Sequence, residues 1–363
     1  MTPAETLVIT SRDLSDIVRQ VGVNQLMDEL LVSLATALRD YDQAQTQVVA
    51  RHGFSYDRPH SGVLEWMPAM VVGRHAVIKI VSYTPSNPDV RGIPTIVSTI
   101  SIYDIATGRL VALVDGILPT ALRTGAASAL ATTILARPDS SVLGLIGCGA
   151  QAVTQLHAIS RRFDIRQVFA YDIDAAASSS FVDRVAFLGL PVRVVPREIL
   201  ERESDIICTA TSAAPGTGPV VDDRHFKPWI HVNAVGSDLP GKTELPLSFL
   251  KRSVVCPDFV EQALVEGEAQ QLTREDLGPC LSDLVKREDD FMVWRDRSTV
   301  FDSTGFVVED VVAAELFLRH AVALGLGRSL SIQGLSGDPK NPYGDLNLSS
   351  DVVRGIDMAG RFS

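Results

Sequence analysis

The spacing of apolar residues changes character twice along the chain. Residues 11–40, SRDLSDIVRQVGVNQLMDELLVSLATALRD, carry apolar positions at helical intervals after Ser and Asp residues suited to N-caps, and predict one or two helices. From Gln47 to Asp104 the apolar runs shorten, as in HAVIKIVSY and TIVSTISIYD, and are broken by Gly, Pro, Asn and Asp. That pattern predicts an antiparallel sheet. Ala106-Thr107-Gly108-Arg109 turns the chain into LVALVDG as a hairpin. Leu118 to Ala136 then reads as a long Ala-rich helix stopped by Arg137-Pro138-Asp139. Beyond Ser141, strand-length runs at 142–146, 167–171, 191–195, 205–211, 229–236, 253–258 and 298–303 alternate with helical segments. This alternation predicts a parallel sheet with helices on both faces. Phe306 to Leu324, acidic early and basic late, predicts an amphipathic helix returning to the first part of the chain. The tail from Ser336 reads as a loop wrapping the surface. The expected fold is α/β, with a Rossmann-type parallel-sheet domain at 129–317. An α+β substrate-binding and dimerisation domain is expected at 1–128 with 318–363.

One stretch organises the second half. Val142–Ile146 breaks into Gly147-Cys148-Gly149-Ala150-Gln151-Ala152, a GxGxxA fingerprint between a strand and a helix. The first glycine permits a tight turn and the second lets backbone approach a pyrophosphate. Ala152 lets the helix pack closely on its strand. The helix N-terminus then offers free N–H groups and partial positive charge to phosphate. A second strand, Gln167–Tyr171, ends at Asp172, placed for the ribose hydroxyls of a dinucleotide. A carboxylate there repels a 2′-phosphate and so favours NAD over NADP.

Composition narrows the partners. A chain of 363 residues exceeds what one core organises, and 46% hydrophobic with 21% charged residues describes an ordinary globular protein. A net charge of −11 argues against nucleic acid or an anionic membrane. The longest uncharged apolar stretch, Thr124 to Ala136, is too short to span a bilayer, and the first residues lack a secretory signal pattern. Cys148, Cys208, Cys256 and Cys280 are widely spaced, so reduced thiols and a cytoplasmic location are expected. Neither they nor the seven histidines have metal-ligand spacing, and no metal is expected. His231 reads as a structural strand residue, and no GxSxG nucleophile is present.

Four blocks in order give the chain a wider resemblance. They are Asp115-Gly116 with Thr120–Ala126 and Ala136–Ser140, Ile146–Ala152, His231–Asp238 with Gly241–Glu244, and Phe301–Phe306 with Glu309-Asp310. In these the chain resembles the ornithine cyclodeaminase and μ-crystallin family along nearly its whole length. Leu64–Pro68, Ser82–Pro88, Glu266–Leu272 and Asp338 with Asn341–Tyr343 look most like the bacterial lysine cyclodeaminases, with Trp66 favouring that branch over the ornithine enzymes. Cys148 departs from the family's usual small or polar residue. The resemblance implies NAD-dependent conversion of L-lysine to L-pipecolate and ammonia, in which NAD+ takes a hydride from Cα and returns it. Ornithine cyclodeamination, and an amino-acid dehydrogenase or cyclic ketimine reductase, are the alternatives. It also implies a homodimer formed through the N-terminal sheet.

Such chemistry needs a carboxylate clamp, a proton-handling group and a Cα facing the cofactor. Arg123 stands in an otherwise uncharged segment, where a charge needs a partner, and the resemblance makes it the substrate-carboxylate clamp beside the cofactor. A structural ion pair at a domain junction is the other reading. Arg51 matches the family's second clamp, with Arg58 as rival, in a polar context that also suits a solvated loop. Lys79 faces opposite Ile78 and Ile80, either outward to solvent or, by resemblance, toward substrate. Glu65 among apolar neighbours reads as an edge-strand carboxylate or, in the family, as the proton-handling or ω-amine-binding group. Asp238 follows a parallel strand, where open α/β sheets bind ligands. It is a turn residue or, by resemblance, the general acid/base. Cofactor contacts are expected from Arg123, Thr124, Gly147, Gly149, Ala150, Gln151, Asp172, Thr211, Asn233, Val235, Lys242, Ser303 and Phe306.

Overall fold

In the computed structural model, which describes residues 5–334, 338–344 and 346, the two apolar periods become two sheets. The chain opens with β1 (Thr6–Ile9), α1 (Ser11–Val21) and α2 (Val23–Arg39). Thr10 and Asp13 close a capping box on α1. Next come β2 (Thr46–Val48), β3 (His52–Tyr56), β4 (Gly62–Val71), β5 (His75–Tyr83), β6 (Ile96–Asp104) and β7 (Leu110–Asp115). Helix α3 (Ile117–Leu135) leads to β8 (Val142–Ile146), α4 (Ala150–Ser160), β9 (Gln167–Tyr171), β10 (Val192–Val194), β11 (Ile206–Thr209) and β12 (His231–Ala234). Then follow β13 (Val254–Pro257), α5 (Val260–Glu266), β14 (Thr299–Asp302), α6 (Val307–Leu324) and β15 (Arg328–Leu330).

The first sheet runs β15-β1-β7-β6-β5-β4-β2, with β3 also on β4. Its β7-to-β2 portion is antiparallel, as the short alternating runs predict. Strand β1 precedes the helices expected to start the chain. It pairs parallel to β7, Leu7 opposite Ala112, and four residues with so distant a partner leave no local signal. Alternation sorts the two faces of β4 and β5. Val63, Met67, Ala69, Val77 and Val81 are buried, whereas Leu64 and Ile80 are 40% and 45% exposed.

The second sheet is entirely parallel in the order β10-β9-β8-β11-β12-β14-β13. The chain builds outward from β8 to β10 and then returns to β11 on the other side. The crevice beyond the carboxyl ends of β8 and β11 is therefore the topological switch point, where such sheets bind ligands. Helix α3 is buried along most of its length and packs on α2, α4 and α6. Helix α6 departs from the amphipathic expectation: Val307 to Ala314 are buried on every side, Glu309 and Asp310 included. Its first turns lie between packed elements, so polar positions there face protein rather than water.

No helix among the described residues is long and apolar enough to cross a membrane. All four cysteines are free, three of them buried. The predicted wrapping tail lies largely outside the described residues.

Candidate functional site

Gly147 ends β8 with φ 89°, and a Cβ there would fall 2.6 Å from the carbonyl oxygen of Ala210. Conformation and space both require glycine. Gly149 has a different reason, since a Cβ there meets nothing within 4 Å. Its backbone borders open space and caps α4 without a side-chain bond to the first turn, where Ala150 and Gln151 begin the helix. The first-turn N–H groups are thus available to an anion. Behind the loop, α3 approaches α4 so closely that a Cβ on Gly125 would lie 2.4 Å from the Thr154 carbonyl oxygen.

Asp172 leaves the end of β9, and its Oδ2 accepts from the Cys148 N–H at 2.7 Å while Oδ1 accepts from Asp174 N–H at 2.9 Å. The carboxylate therefore fixes the glycine loop from its rim, and each oxygen retains a further lone pair. Thr211, past β11, donates through N–H and Oγ1 to Glu244 at 2.7 Å each. Ser303, past β14, is 3% exposed, and its Oγ has no hydrogen-bond partner among the described residues. A buried hydroxyl without a partner at a strand's carboxyl end fits a polar group of a ligand. Open backbone at Gly149, uncapped N–H groups and the free Ser303 hydroxyl together fit a dinucleotide.

Beside this cradle, where the inner face of the first sheet meets the carboxyl ends of β12 and β14, charged side chains converge. Lys79 is 1% exposed on the same face of β5 as Val77 and Val81, and its Nζ lies 2.8 Å from Asp310 Oδ2. The solvent-facing alternative for Lys79 is excluded. Arg123, from α3, reaches Glu309 Oε2 through Nη1 at 2.7 Å and Asp310 Oδ1 through Nε at 3.1 Å. Its Nη2 makes no hydrogen bond among the described residues and passes Gly305, where a Cβ would sit 2.9 Å away. Gly305 has φ 100°, so the close approach and the backbone both call for glycine. Glu309 and Asp310 stand in the first turn of α6, where the helix dipole favours negative charge. Arg123 thus holds a structural ion pair and still presents one guanidinium edge.

Arg51 joins the two sheets. Its Nη1 donates to Glu65 Oε2 at 3.3 Å, its Nε lies 3.2 Å from Glu266 Oε1, and its Nη2 donates to the Thr304 carbonyl. Arg58, its rival, is exposed. Glu65 shares the inward face of β4 with Met67, which pairs with Lys79 across the strands. Trp66 is on the opposite face, against the rings of His52 and Phe54, and does not line this junction. Asp238, past β12, accepts from Lys242 Nζ at 2.8 Å, and that ammonium lies 5.1 Å from the Tyr83 ring centre. Glu244 ties down the turn before Asp238 by accepting from the Gly236 N–H at 2.8 Å.

Burial sets the electrostatics here. It pushes Lys79 down to about 8, and Arg123 pushes the same way against the pull of Asp310. Burial opposes the charge of Arg123, but Asp310 and Glu309 outweigh it and hold the guanidinium charged. It raises Glu266 to about 8 despite Arg51, helped by Glu65 and Asp238. Arg51, Lys79, Arg123 and Lys242 face Glu65, Asp238, Asp258, Glu266, Glu309 and Asp310, so carboxyl groups outnumber cations. Burial raises Asp258, Glu266 and Glu309, the last two to about 8, and an ammonium group arriving beside them favours their charged forms.

Three expected cofactor residues have partners within the protein. Asn233 is fully buried, donating to Thr132 Oγ1 at 2.9 Å, because alternation turns it with His231 toward α3 and away from the rim. Phe306 stacks on Phe259 with ring centres 5.1 Å apart and meets Tyr41 edge-on. Thr124 turns its hydroxyl back to the Thr120 carbonyl. Val235 is buried just beyond β12, near the rim. Sequence reading missed Asp258 and Glu266 as site residues. Asp258 follows β13 at its carboxyl end, the same positional signal that singled out Asp238. Glu266 ends α5; it opens the Glu266–Leu272 segment of the resemblance, but no local pattern gave it a role.

Comparison with known proteins places this chain among relatives of the same fold. Residues 12–323 match the ornithine cyclodeaminase/mu-crystallin family. The chain is 41% identical over 340 residues to L-lysine cyclodeaminase of Streptomyces rapamycinicus, covering 93% of this chain and 99% of that protein. A solved lysine cyclodeaminase structure, reported for its recognition of L-lysine, L-ornithine and L-2,4-diamino butyric acid, superposes with a TM-score of 0.91 at 45% identity, over 94% of this chain and 99% of the other. An archaeal alanine dehydrogenase dimer with bound NAD superposes with a TM-score of 0.80 at 33% identity, over 91% and 100%. With the family matched over residues 12–323 and a relative 41% identical over 93% of the chain, the chain belongs to the ornithine cyclodeaminase/mu-crystallin family.

Proposed function

We propose that this chain is an NAD-dependent amino-acid cyclodeaminase that converts L-lysine to L-pipecolate and ammonia. The observation that carries the reading is the junction itself: guanidinium and ammonium groups for a carboxylate beside an excess of carboxyl groups for amines, next to a dinucleotide cradle. NAD, when bound, supplies a hydride acceptor at Cα that gives the hydride back within the same turnover. Gly147, Gly149, Ala150 and Gln151 hold the pyrophosphate, Asp172 the adenosine ribose, and Thr211, Val235 and Ser303 border the remainder. Arg123 presents its free Nη2 edge, and Lys79 its ammonium, to the substrate carboxylate. Lys242 holds Asp238 by its Oδ1, and Asp238 exchanges protons with the α-nitrogen. Arg51 and Glu65 hold each other at the edge of this junction.

The division at 128/129 and 317/318 into substrate-binding and NAD-binding parts belongs to the same reading, as does a homodimer. What supports the dimer is the outward face of the first sheet, where Phe54, Leu64 and Ile80 are 63%, 40% and 45% exposed. Four free cysteines support a reducing, cytoplasmic setting.

Incubating the protein with L-lysine or L-ornithine and NAD+, while following ammonia and NADH absorbance together, tests this. Ammonia without accumulating NADH is expected. Stoichiometric NADH would indicate a dehydrogenase, and no ammonia from either substrate would overturn the reading. A methylene in a pocket is worth only about 1–3 kcal/mol, so the ratio of kcat/KM for lysine and ornithine decides the ring size.

A further inference from the structure

Among the described residues, Arg51 is the single cation shared by Glu65 and Glu266, and it serves them unequally. Glu65 Oε2 accepts a hydrogen bond from Nη1. Glu266 Oε1 lies 3.2 Å from Nε but off its N–H direction, so neither atom has a hydrogen-bond partner. Yet the Glu266 side chain is only 8% exposed. Asp258, nearby, is fully engaged by Gly305 N–H, Thr304 Oγ1 and Phe259 N–H. A buried carboxylate oxygen without a donor is costly and marks a place where a donor is missing.

Position adds a second argument. Ser237 Oγ contacts both the Lys242 carbonyl and the Glu266 carbonyl, at 2.5 and 3.4 Å, so the segment bearing Asp238 rests on the end of α5. Ring closure of a diamino acid brings its distal nitrogen to the carbon that carries the α-nitrogen. The groups that exchange protons with the two nitrogens must therefore be neighbours, as Asp238 and Glu266 are.

We propose that Glu266 holds the distal ammonium of a diamino-acid substrate and takes one of its protons, leaving Glu65 to position Arg51. In that step one N–H bond breaks, one O–H bond forms at Glu266, and the nitrogen lone pair is freed for ring closure. The inference rests on the cyclodeaminase reading. The groups around Glu266 are Arg51 from the β2–β3 connection, Glu65 from β4, Asp238 after β12 and Asp258 after β13, and together with burial they bring it to about 8. The entering ammonium offsets the burial that raises Glu266 and favours its carboxylate, the form that takes the proton. A carboxyl group of that proton affinity releases it again for the next turnover.

The experiment compares wild type, Glu266→Gln and Glu65→Gln, all loaded with NAD. Glu266→Gln is expected to retain NAD, to unfold at or above the wild-type midpoint, and to lose about 100-fold or more in ammonia release from lysine. Its residual rate should climb steadily with pH where the wild type levels off. Calorimetric titration with norleucine, which lacks the distal amine, should give the same affinity in wild type and variant, whereas lysine binds about 10-fold more weakly to Glu266→Gln. Full activity and an unchanged pH profile in Glu266→Gln, or those losses in Glu65→Gln alone, would overturn the assignment. Equal loss of lysine and norleucine binding would mark Glu266 as structural only and overturn it too. A wild type that releases no ammonia would sink the cyclodeaminase reading instead, and the lysine–norleucine comparison would still decide whether Glu266 holds the ammonium.

Discussion

Asp238 and Lys79 illustrate how one side chain's surroundings assign its work. Asp238 is partly exposed and paired on one oxygen by Lys242, which leaves its second oxygen open, as the proposed acid/base role requires. Asp238→Asn keeps the shape and removes the proton acceptor, so ammonia release should fall by about 10²–10⁴-fold while NAD stays bound. Single-turnover ammonia release and NAD retention after gel filtration measure the two, and undiminished turnover would remove Asp238 from the mechanism. Lys79 has its inward direction written in HAVIKIVSY by alternation, but the sequence leaves open whether that face meets water or protein. The arrival of Asp310 from α6 settles it, at 2.8 Å.

Among the elements, the strand–loop–helix unit from β8 to α4 was the most legible, because its glycines answer to local backbone demands. The two glycines nevertheless do different jobs, and substitution should separate them. Gly147→Ala puts a side chain at φ 89° and within 2.6 Å of a carbonyl oxygen, so it should lower stability by about 1–3 kcal/mol. Gly149→Ala enters open space and should leave stability within about 0.5 kcal/mol while weakening NAD binding. Urea unfolding and cofactor titration test both, and a destabilised Gly149→Ala with normal affinity would refute the cradle. Helix α6 was less legible, since Glu309 and Asp310 early in a helix read as ordinary solvated acids favourable to the dipole. Both are instead fully buried, with Arg123 and Lys79, from α3 and β5, as their ion-pair partners.

At the scale of the molecule, buried carboxyl groups give folding a distinctive pH response. Burial raises Asp302 to about 7 against its two backbone N–H bonds, and raises Glu266 to about 8. Burial, with Asp302 and Glu244 as neighbours, also takes Glu268 well above the usual carboxylate range. Each binds its proton more tightly folded than unfolded, so their contribution is complete below the ordinary carboxylate range and is lost as pH rises through the folded values. Thermal unfolding midpoints should therefore decline from about pH 5 to about pH 8, less steeply in Asp302→Asn, and a rising profile would contradict this account. Alternation, glycine placement and helical spacing are local quantities, and they were enough to determine the parallel sheet, the antiparallel part of the first sheet, the glycine loop and the strand ends bearing Asp172 and Asp238, but not β1. Which buried face Lys79 meets, that Asn233 turns inward, that Trp66 lies across the sheet from Glu65, and that Glu266 reaches Arg51 were decided only by tertiary structure. Each depends on a partner far along the chain, and the energy of a buried charge or hydrogen bond is set by that partner rather than by sequence neighbours.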